Sequence, residues 1–394
     1  MLDRLARGLE LALRSGATPL IVGARIASRW REAVPEGLPA PRRSLLLASK
    51  AVLDEIFLAA ELASAPLVRE RRVMEELGAS LEHFQQRGWL DDPASYHQTP
   101  PPLETATLAP GRVPGIGYES LRFESGYAPH PGEPGRERWL GYEPNETGWA
   151  WVLRHPGRAR PWMLCVPGYR MGTPLVDFAG FRARWLHRRL GLNVLIPVLP
   201  FHGPRRVGRR SGDGYFAGDF IDTLHAQSQA LWDVRRLLCW IRAQGAPCVG
   251  VHGVSLGAYT TALVAAMEPE LDCVIAGIPA ADFSRLVKSH VPDAVLWAAE
   301  RFGFRFEQIT DLLRVVSPFS FEPSVPRERC YLYAGLVDRL ASPEHALELW
   351  EHWGRPRMSW YHGSHISFLW ENDVKTLLLA ALQERGFLPE TPSA

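Results

Sequence analysis

The 394-residue sequence is short of cysteine, of lysine and of net charge, and each shortage excludes a class of protein. Its five cysteines, Cys165, Cys239, Cys248, Cys273 and Cys330, are an odd number without a CxxC spacing. That pattern argues against a disulfide framework and against a zinc ribbon. Apolar neighbours, as in Leu238-Cys239-Trp240, predict reduced, buried thiols. Only Lys50, Lys288 and Lys375 are lysines among 44 basic residues, a bias read as codon usage in a GC-rich genome. Against 43 acidic residues the net charge is +1, which gives no sequence-wide attraction to nucleic acid or to an anionic membrane. Asp3, Arg4, Arg7, Glu10 and Arg14 interrupt the apolar run that a secretory signal needs. The longest uncharged run, Ala243 to Met267, reaches membrane-spanning length but holds Pro247, His252 and several glycines. A cytoplasmic location is expected.

What is present is ordinary globular usage, 46% apolar and 22% charged residues, in a chain long enough to bury a large core without staples. The first 90 or so residues read as helices: Leu2–Leu13, Ile21–Glu32, Ser44–Ala63 and Val68–Arg87, the last ending at Gly88. In the third of these, Leu45, Val52, Ile56 and Ala59 share one apolar face. Asp91–Pro110, with Pro100-Pro101-Pro102 inside it, reads as a linker. The expected division is a helical extension and linker over 1–105 and a larger domain over 106–394.

Beyond the linker, short apolar strands alternate with helices. Strands are expected at Tyr118–Phe123, Trp149–Arg154, Trp162–Val166, Asn193–Pro197, Val249–His252, Cys273–Gly277, Cys330–Ala334 and Met358–Tyr361. Helices are expected at Phe178–Leu190, Ile221–Gln244, Gly257–Met267, Pro343–Trp353 and Asn372–Arg385. The later strands are continuous apolar runs, as in a mostly parallel sheet covered on both faces by helices, an α/β class.

Within this pattern, Gly253-Val254-Ser255-Leu256-Gly257 is a G-x-S-x-G motif between the strand run Val249–His252 and a helix-compatible run from Ala258. The motif acquires meaning only in that strand–turn–helix setting. Small residues two before and two after the serine let strand and helix approach, and the Leu256 N–H becomes available to a developing oxyanion. A serine hydroxyl also needs a base, and the base an orienting acid. Downstream, Tyr331-Leu-Tyr-Ala-Gly335-Leu-Val-Asp338 runs from a strand into a turn that presents a carboxylate. His365 follows the last strand in Gly363-Ser364-His365-Ile366-Ser367. His362 competes with it, but a glycine-then-histidine loop favours His365. No third ligand has the local spacing for a zinc site with both histidines. His252 reads as a packed histidine. After the third expected strand, Pro167-Gly168-Tyr169 is placed to supply a second oxyanion donor, the Tyr169 N–H.

These motifs resemble the α/β-hydrolase superfamily over roughly residues 110–390, in its order of serine, acid and histidine. The nearest branch by resemblance is that of α/β-hydrolase domain-containing protein eighteen. Leu199-Pro200-Phe201-His202-Gly203-Pro204-Arg205-Arg206 and the Gly363–Ser367 loop carry that likeness. A Pro-Gly stands where the superfamily usually has His-Gly. The resemblance implies a Ser255–His365–Asp338 triad acting on acyl esters through an acyl-enzyme, without metal or organic cofactor. A peptidase or amidase would use the same triad, and a catalytically silent binding scaffold remains open.

Three regions bear on substrate and partners. The glycine-rich loop 204–214 carries Arg205, Arg206, Arg209 and Arg210 and reads either as an anion-recognition loop or as a solvated one paired with Asp213 and Asp219. Phe283–Val316 is long and amphipathic, a candidate lid at 283–316 or simple packing. The N-terminal helices are expected to pack on the domain, with oligomerisation or membrane-surface contact as alternatives. The expected partner is a small-molecule or lipid-like ester, and no nucleic acid.

Overall fold

The computed structural model describes residues 36–388 apart from 43, 65–69, 217–218, 292–296, 298–299 and 302–304. The helices expected at Leu2–Leu13 and Ile21–Glu32 lie outside the described residues. The elements used below, in chain order, are α1 (Leu45–Ser64), α2 (Glu70–Gln86), β1 (Thr107–Val113), β2 (Ile116–Glu124), β3 (Thr147–Leu153), β4 (Trp162–Val166), α3 (Pro174–Gly180), β5 (Asn193–Val198) and α4 (Phe220–Ala243). They continue with β6 (Val249–Val254), α5 (Leu256–Met267), β7 (Cys273–Gly277), α6 (Phe283–His290), α7 (Phe306–Leu313), β8 (Cys330–Gly335), α8 (Pro343–His352), β9 (Arg357–Tyr361) and α9 (Asn372–Glu384).

The strands form one nine-stranded sheet in the order β1-β2-β3-β5-β4-β6-β7-β8-β9. From β5 through β9 every neighbouring pair is parallel, while β1, β2 and β3 form an antiparallel flank whose β3 pairs with β5. All residues of β4, β5, β6, β7 and β8 are buried, which is why their sequences are continuous apolar runs rather than alternating ones. One face packs against residues of α2, α4, α5 and α7, among them Leu77, Leu224, Leu263 and Ile309. The other packs against Phe178 of α3 and Leu377 and Leu378 of α9. This is an α/β-hydrolase architecture, as the sequence predicts.

Several expectations are corrected by tertiary contacts. The sheet begins with β1, which falls partly in the expected linker. It is an edge strand, and Pro110 and Gly111 within it mask the strand pattern in sequence. The rest of that linker is not a free tether, because Tyr96 and Leu103 are buried in the main core and the Tyr96 hydroxyl donates to Glu133 at 2.9 Å. The helix expected at Phe178–Leu190 breaks after Gly180. Arg182 then adopts a positive φ of 49°, and a π-helical turn covers Trp185–Arg189. The Arg182 guanidinium donates to the Leu369 carbonyl at 2.8 Å, a long-range contact that no local propensity encodes.

Helix α1 forms where expected, but its expected apolar face is not the buried one, since Val52 and Ala59 are only half-buried. Leu45 is 92% and Ile56 57% exposed, while Leu47, Ala51, Asp54, Glu55 and Leu58 are buried. A carboxylate goes inward only where donors compensate its lost hydration. For Asp54 those donors are backbone N–H groups of two later loops.

Five free cysteines are present, with Cys165, Cys273 and Cys330 buried and Cys239 and Cys248 half-buried. Burial pushes the Cys330 thiol up to about 12, so it stays protonated. No helix among the described residues is long and apolar enough to cross a membrane.

The exit of β5 is pinned by a buried ion pair. Arg205 donates to Asp233 of α4 at 2.8 Å, to the Val198 carbonyl at 2.9 Å and to the Asn145 carbonyl at 3.0 Å. Ser125 adds a 2.6 Å hydrogen bond to Asp233. Removing one member of such a pair strands the other without water, at a cost of about 3–5 kcal/mol. Asp233→Ala is expected to lose that much stability in urea denaturation, and a loss below 1 kcal/mol would show that the pair does not hold the loop.

Candidate active site

Ser255 lies between the last residue of β6 and the first of α5, as the G-x-S-x-G motif requires. Its backbone sits at φ 56° and ψ −118°, a conformation that costs a non-glycine residue of order 1–3 kcal/mol. Two glycines make the turn possible. A Cβ on Gly253 would overlap the Gly257 carbonyl, and a Cβ on Gly257 would overlap the Val166 carbonyl of β4. Helix α5 can therefore start directly against the sheet. The Ser255 N–H donates to the Gly277 carbonyl at 2.9 Å, which ties the turn to the end of β7.

Strain is concentrated along this edge of the sheet. Arg170 after β4 (φ 70°), Phe201 after β5 (66°), Ser255 after β6 (56°) and Ile278 after β7 (45°) are all non-glycine residues in the left-handed region. Such conformations persist where the surroundings over-determine them, and they cluster at functional sites. The C-terminal edge of a parallel sheet is also where open α/β proteins bind ligands.

Asp338 and His365 reach the same edge from the loops after β8 and β9. The Asp338 Oδ2 atom accepts from His365 Nδ1 at 2.7 Å, and both side chains are buried. Its Oδ1 atom accepts the N–H groups of Leu340 and Ala341, each at 2.9 Å, so the carboxylate is fixed from both oxygens. Burial works against a charged imidazole at His365. The Asp338 charge, the hydrogen bond to it and the Asp54 charge outweigh that effect and raise the histidine above its ordinary value. With Nδ1 committed to a carboxylate, Nε2 is the nitrogen left to exchange a proton.

The competing histidines are elsewhere. His362 is exposed, and its Nδ1 accepts from the Arg42 N–H at 3.3 Å. His252 is packed beneath the site with Nε2 3.0 Å from the Tyr333 hydroxyl, and burial pushes it down to about 3. Among the described residues, no group of three or more His, Cys, Asp or Glu side chains could hold a metal ion.

The N–H groups of Leu256 and Tyr169 have no acceptor among the described residues. Leu256 opens α5 beside Ser255, and Gly168, next to Tyr169, is so close that a Cβ there would lie 3.4 Å from Ser255 Cβ. The loop carrying Tyr169 is held by Asp177 of α3, which accepts the Gly172 N–H at 2.8 Å and Trp151 Nε1–H at 2.8 Å. Burial pushes Asp177 up to about 7.

The arginine loop divides. Arg205 is buried and its guanidinium is spent on Asp233 and two carbonyls, so it cannot also fork an anionic ligand. Arg206 and Arg209 are exposed, and Arg206 donates to the Gly203 carbonyl at 3.3 Å. Arg210 pairs with Glu61 of α1 at 2.9 Å. The candidate lid is anchored rather than free at its described ends: Phe283 stacks on Tyr259 at 3.7 Å, and Phe306, Ile309 and Leu312 join the core.

Sequence reasoning missed the acidic residues of α1. Asp54 accepts from the backbone of both the Asp338 loop and the His365 loop. Glu61 accepts from Arg170 Nε at 2.9 Å and from the Tyr169 hydroxyl at 3.4 Å. The one local signal was a pair of adjacent acids, Asp54-Glu55, in a helix with only two other charged residues, Lys50 and Glu61.

No protein-family model matches the chain. Two uncharacterized proteins of Mycobacterium tuberculosis, MT2702 of strain CDC 1551 and Rv2627c of strain H37Rv, are each 40% identical over 396 residues, covering 98% of this chain and 95% of the relative. Among solved structures, an acetyl xylan esterase from Paenibacillus sp. R4 aligns with a TM-score of 0.51 at 13% identity, over 76% of this chain and 99% of the esterase, which bears on the fold alone. The chain thus has the α/β-hydrolase fold and belongs to the family of MT2702 and Rv2627c.

Proposed function

We propose that the protein is a serine hydrolase that cleaves a carboxylic ester through Ser255, His365 and Asp338. The observation that carries this reading is the strained Ser255 turn on the sheet edge that also bears a buried, hydrogen-bonded Asp338–His365 pair. In the proposed reaction His365 Nε2 takes the Ser255 hydroxyl proton as the oxygen bonds to the acyl carbon. The imidazolium then gives that proton to the leaving alkoxide as the ester C–O bond breaks. Water repeats the sequence on the acyl-enzyme and releases the acid, restoring the serine. Asp338 holds the histidine tautomer, and the Leu256 and Tyr169 N–H groups receive the oxyanion.

No cofactor enters this scheme, and the proposed setting is the cytoplasm, in keeping with the free thiols. Anion recognition, if the substrate carries an acidic group, falls to Arg206 and Arg209. Kinship to the protein-eighteen branch rests on the 199–206 and 363–367 segments alone. A peptidase or amidase would share every step except the leaving group, an amine in place of an alkoxide.

Fluorophosphonate labelling and a p-nitrophenyl ester series from acetyl to palmitoyl test the proposal. Ser255→Ala is expected to abolish labelling and to cut turnover by at least about 10⁴-fold. A wild-type protein that neither labels nor turns over any ester would leave the scaffold reading in its place. The pH profile gives a second check. His365 must be neutral to act as base, and its neighbours raise its pKa, so activity should climb with pH through a midpoint above the usual value of about 6.5. A midpoint below 6 would mean that Asp338 does not govern the histidine.

A further inference from the structure

Asp338 and His365 stand on separate loops 27 residues apart, yet one buried side chain from the other end of the chain binds both loops. Asp54 of α1 accepts the Arg339 N–H at 3.0 Å and the His365 N–H at 2.8 Å on Oδ2, and the Ile366 N–H at 3.0 Å on Oδ1. Arg339 directly follows the acid, and His365 is the base itself. Two backbone bonds, Leu336 to Tyr361 at 3.1 Å and Val337 to Gly363 at 3.0 Å, bring the loops together but stop short of the reacting pair. From there onward Asp54 supplies the link.

The rest of α1 is built to hold that carboxylate in place. Leu47 and Ala51 pack on Val337, the residue before Asp338. Lys50 donates to the His362 carbonyl at 3.0 Å and pairs with Glu371 at 2.5 Å. Glu371 in turn accepts from the Ser367 hydroxyl at 2.8 Å. Two turns beyond Asp54, about 10 Å along the helix, Glu61 binds Arg170 and Arg210 on the opposite flank. The helix spans the site from the base loop to the loop after β4.

We propose that Asp54 is a positioning residue of the reaction: it locks the acid and base loops in one register and sets a second negative charge against the imidazolium that forms at His365. This rests on the hydrolase reading above. A second buried carboxylate beside the Asp338–His365 pair is costly, since burial and the like charge of Asp338 push Asp54 up to about 6. The positive charge of His365 and the N–H groups of Arg339 and Ile366 pull the other way and favour the ionised form. Among the described residues, the charged and titratable groups that act around the pair are Asp338, Asp54, Tyr361 and the Lys50–Glu371 pair. Of these, only Asp338 and Asp54 raise the histidine.

Asp54→Asn keeps the size of the side chain, removes its charge and turns an NH2 toward backbone donors. With p-nitrophenyl acetate, kcat is expected to fall about 10- to 100-fold with KM within about twofold, as loss of alignment predicts. The midpoint of the pH profile should move down. Lys50→Ala loosens the same helix and leaves the carboxylate, so it should lower Tm without moving that midpoint. NMR titration of His365 in a Ser255→Ala background, with and without Asp54→Asn, reads the same shift without any substrate. An unmoved His365 titration together with wild-type kcat would overturn the proposal, whereas a wild-type protein without turnover would overturn only the hydrolase reading. Should Asp54→Asn not fold, Asp54→Glu decides: it is expected to keep the titration midpoint and lose kcat, and an unchanged kcat sinks the positioning role.

Discussion

The near-contact of α5 with the sheet is the constraint on which the C-terminal edge of the sheet depends. Gly257 lies against the Val166 carbonyl of β4, and Gly253 against the Gly257 carbonyl, with no room for a side chain at either position. The chain can make that crossing only by reversing direction within one residue, and Ser255 carries the resulting strain. Because β6 is flanked by β4 and β7, the serine is delivered to the middle of the sheet edge, between the loop of Tyr169 and the loops of Asp338 and His365. A larger residue at either glycine would push α5 away and move the serine relative to all of them.

Around that fixed turn, the loops are held by buried polar groups more than by apolar packing. Asp177 grips the loop after β4, Asp233 and Arg205 grip the exit of β5, and Asp54 grips the loops after β8 and β9. A hydrogen-bonded carboxylate is directional where a hydrophobic contact is not, so it specifies loop position more closely. It also costs desolvation, which the raised pKa values of Asp54 and Asp177 record. The sheet and its two apolar layers supply the stability that tolerates these groups. In the proposed hydrolase, the braces would maintain a site whose parts come from the two ends of the chain.

The N-terminal helices accordingly have structural roles that the division at residue 105 does not suggest. Val73, Leu77 and Phe84 of α2 belong to the same core as the strands, and Asp54 of α1 reaches the loops at the C-terminal edge of the sheet. The outward apolar residues of α1, Leu45, Leu46 and Ile56, follow from that choice, because a helix with acids on its inner face has its apolar excess left for the outer one.

Much of the fold was legible in the sequence, since eight of the nine strands lie on expected segments, most of them apolar runs, and those patterns are local. The positions of Ser255, Asp338 and His365 after β6, β8 and β9 were also legible, because strand–turn–helix context and chain order are one-dimensional properties. The edge strand β1 was not, as Pro110 and Gly111 hide a strand that only pairing with β2 stabilises. Nor were the fate of Arg205, the break after Gly180 or the inward turn of Asp54. Each depends on a partner tens to hundreds of residues away. Sequence by itself determined which residues prefer strand, helix or turn, because those preferences arise from a residue and its near neighbours. Tertiary structure alone decided which charges are buried, because a buried charge is tolerable only where distant donors converge on it.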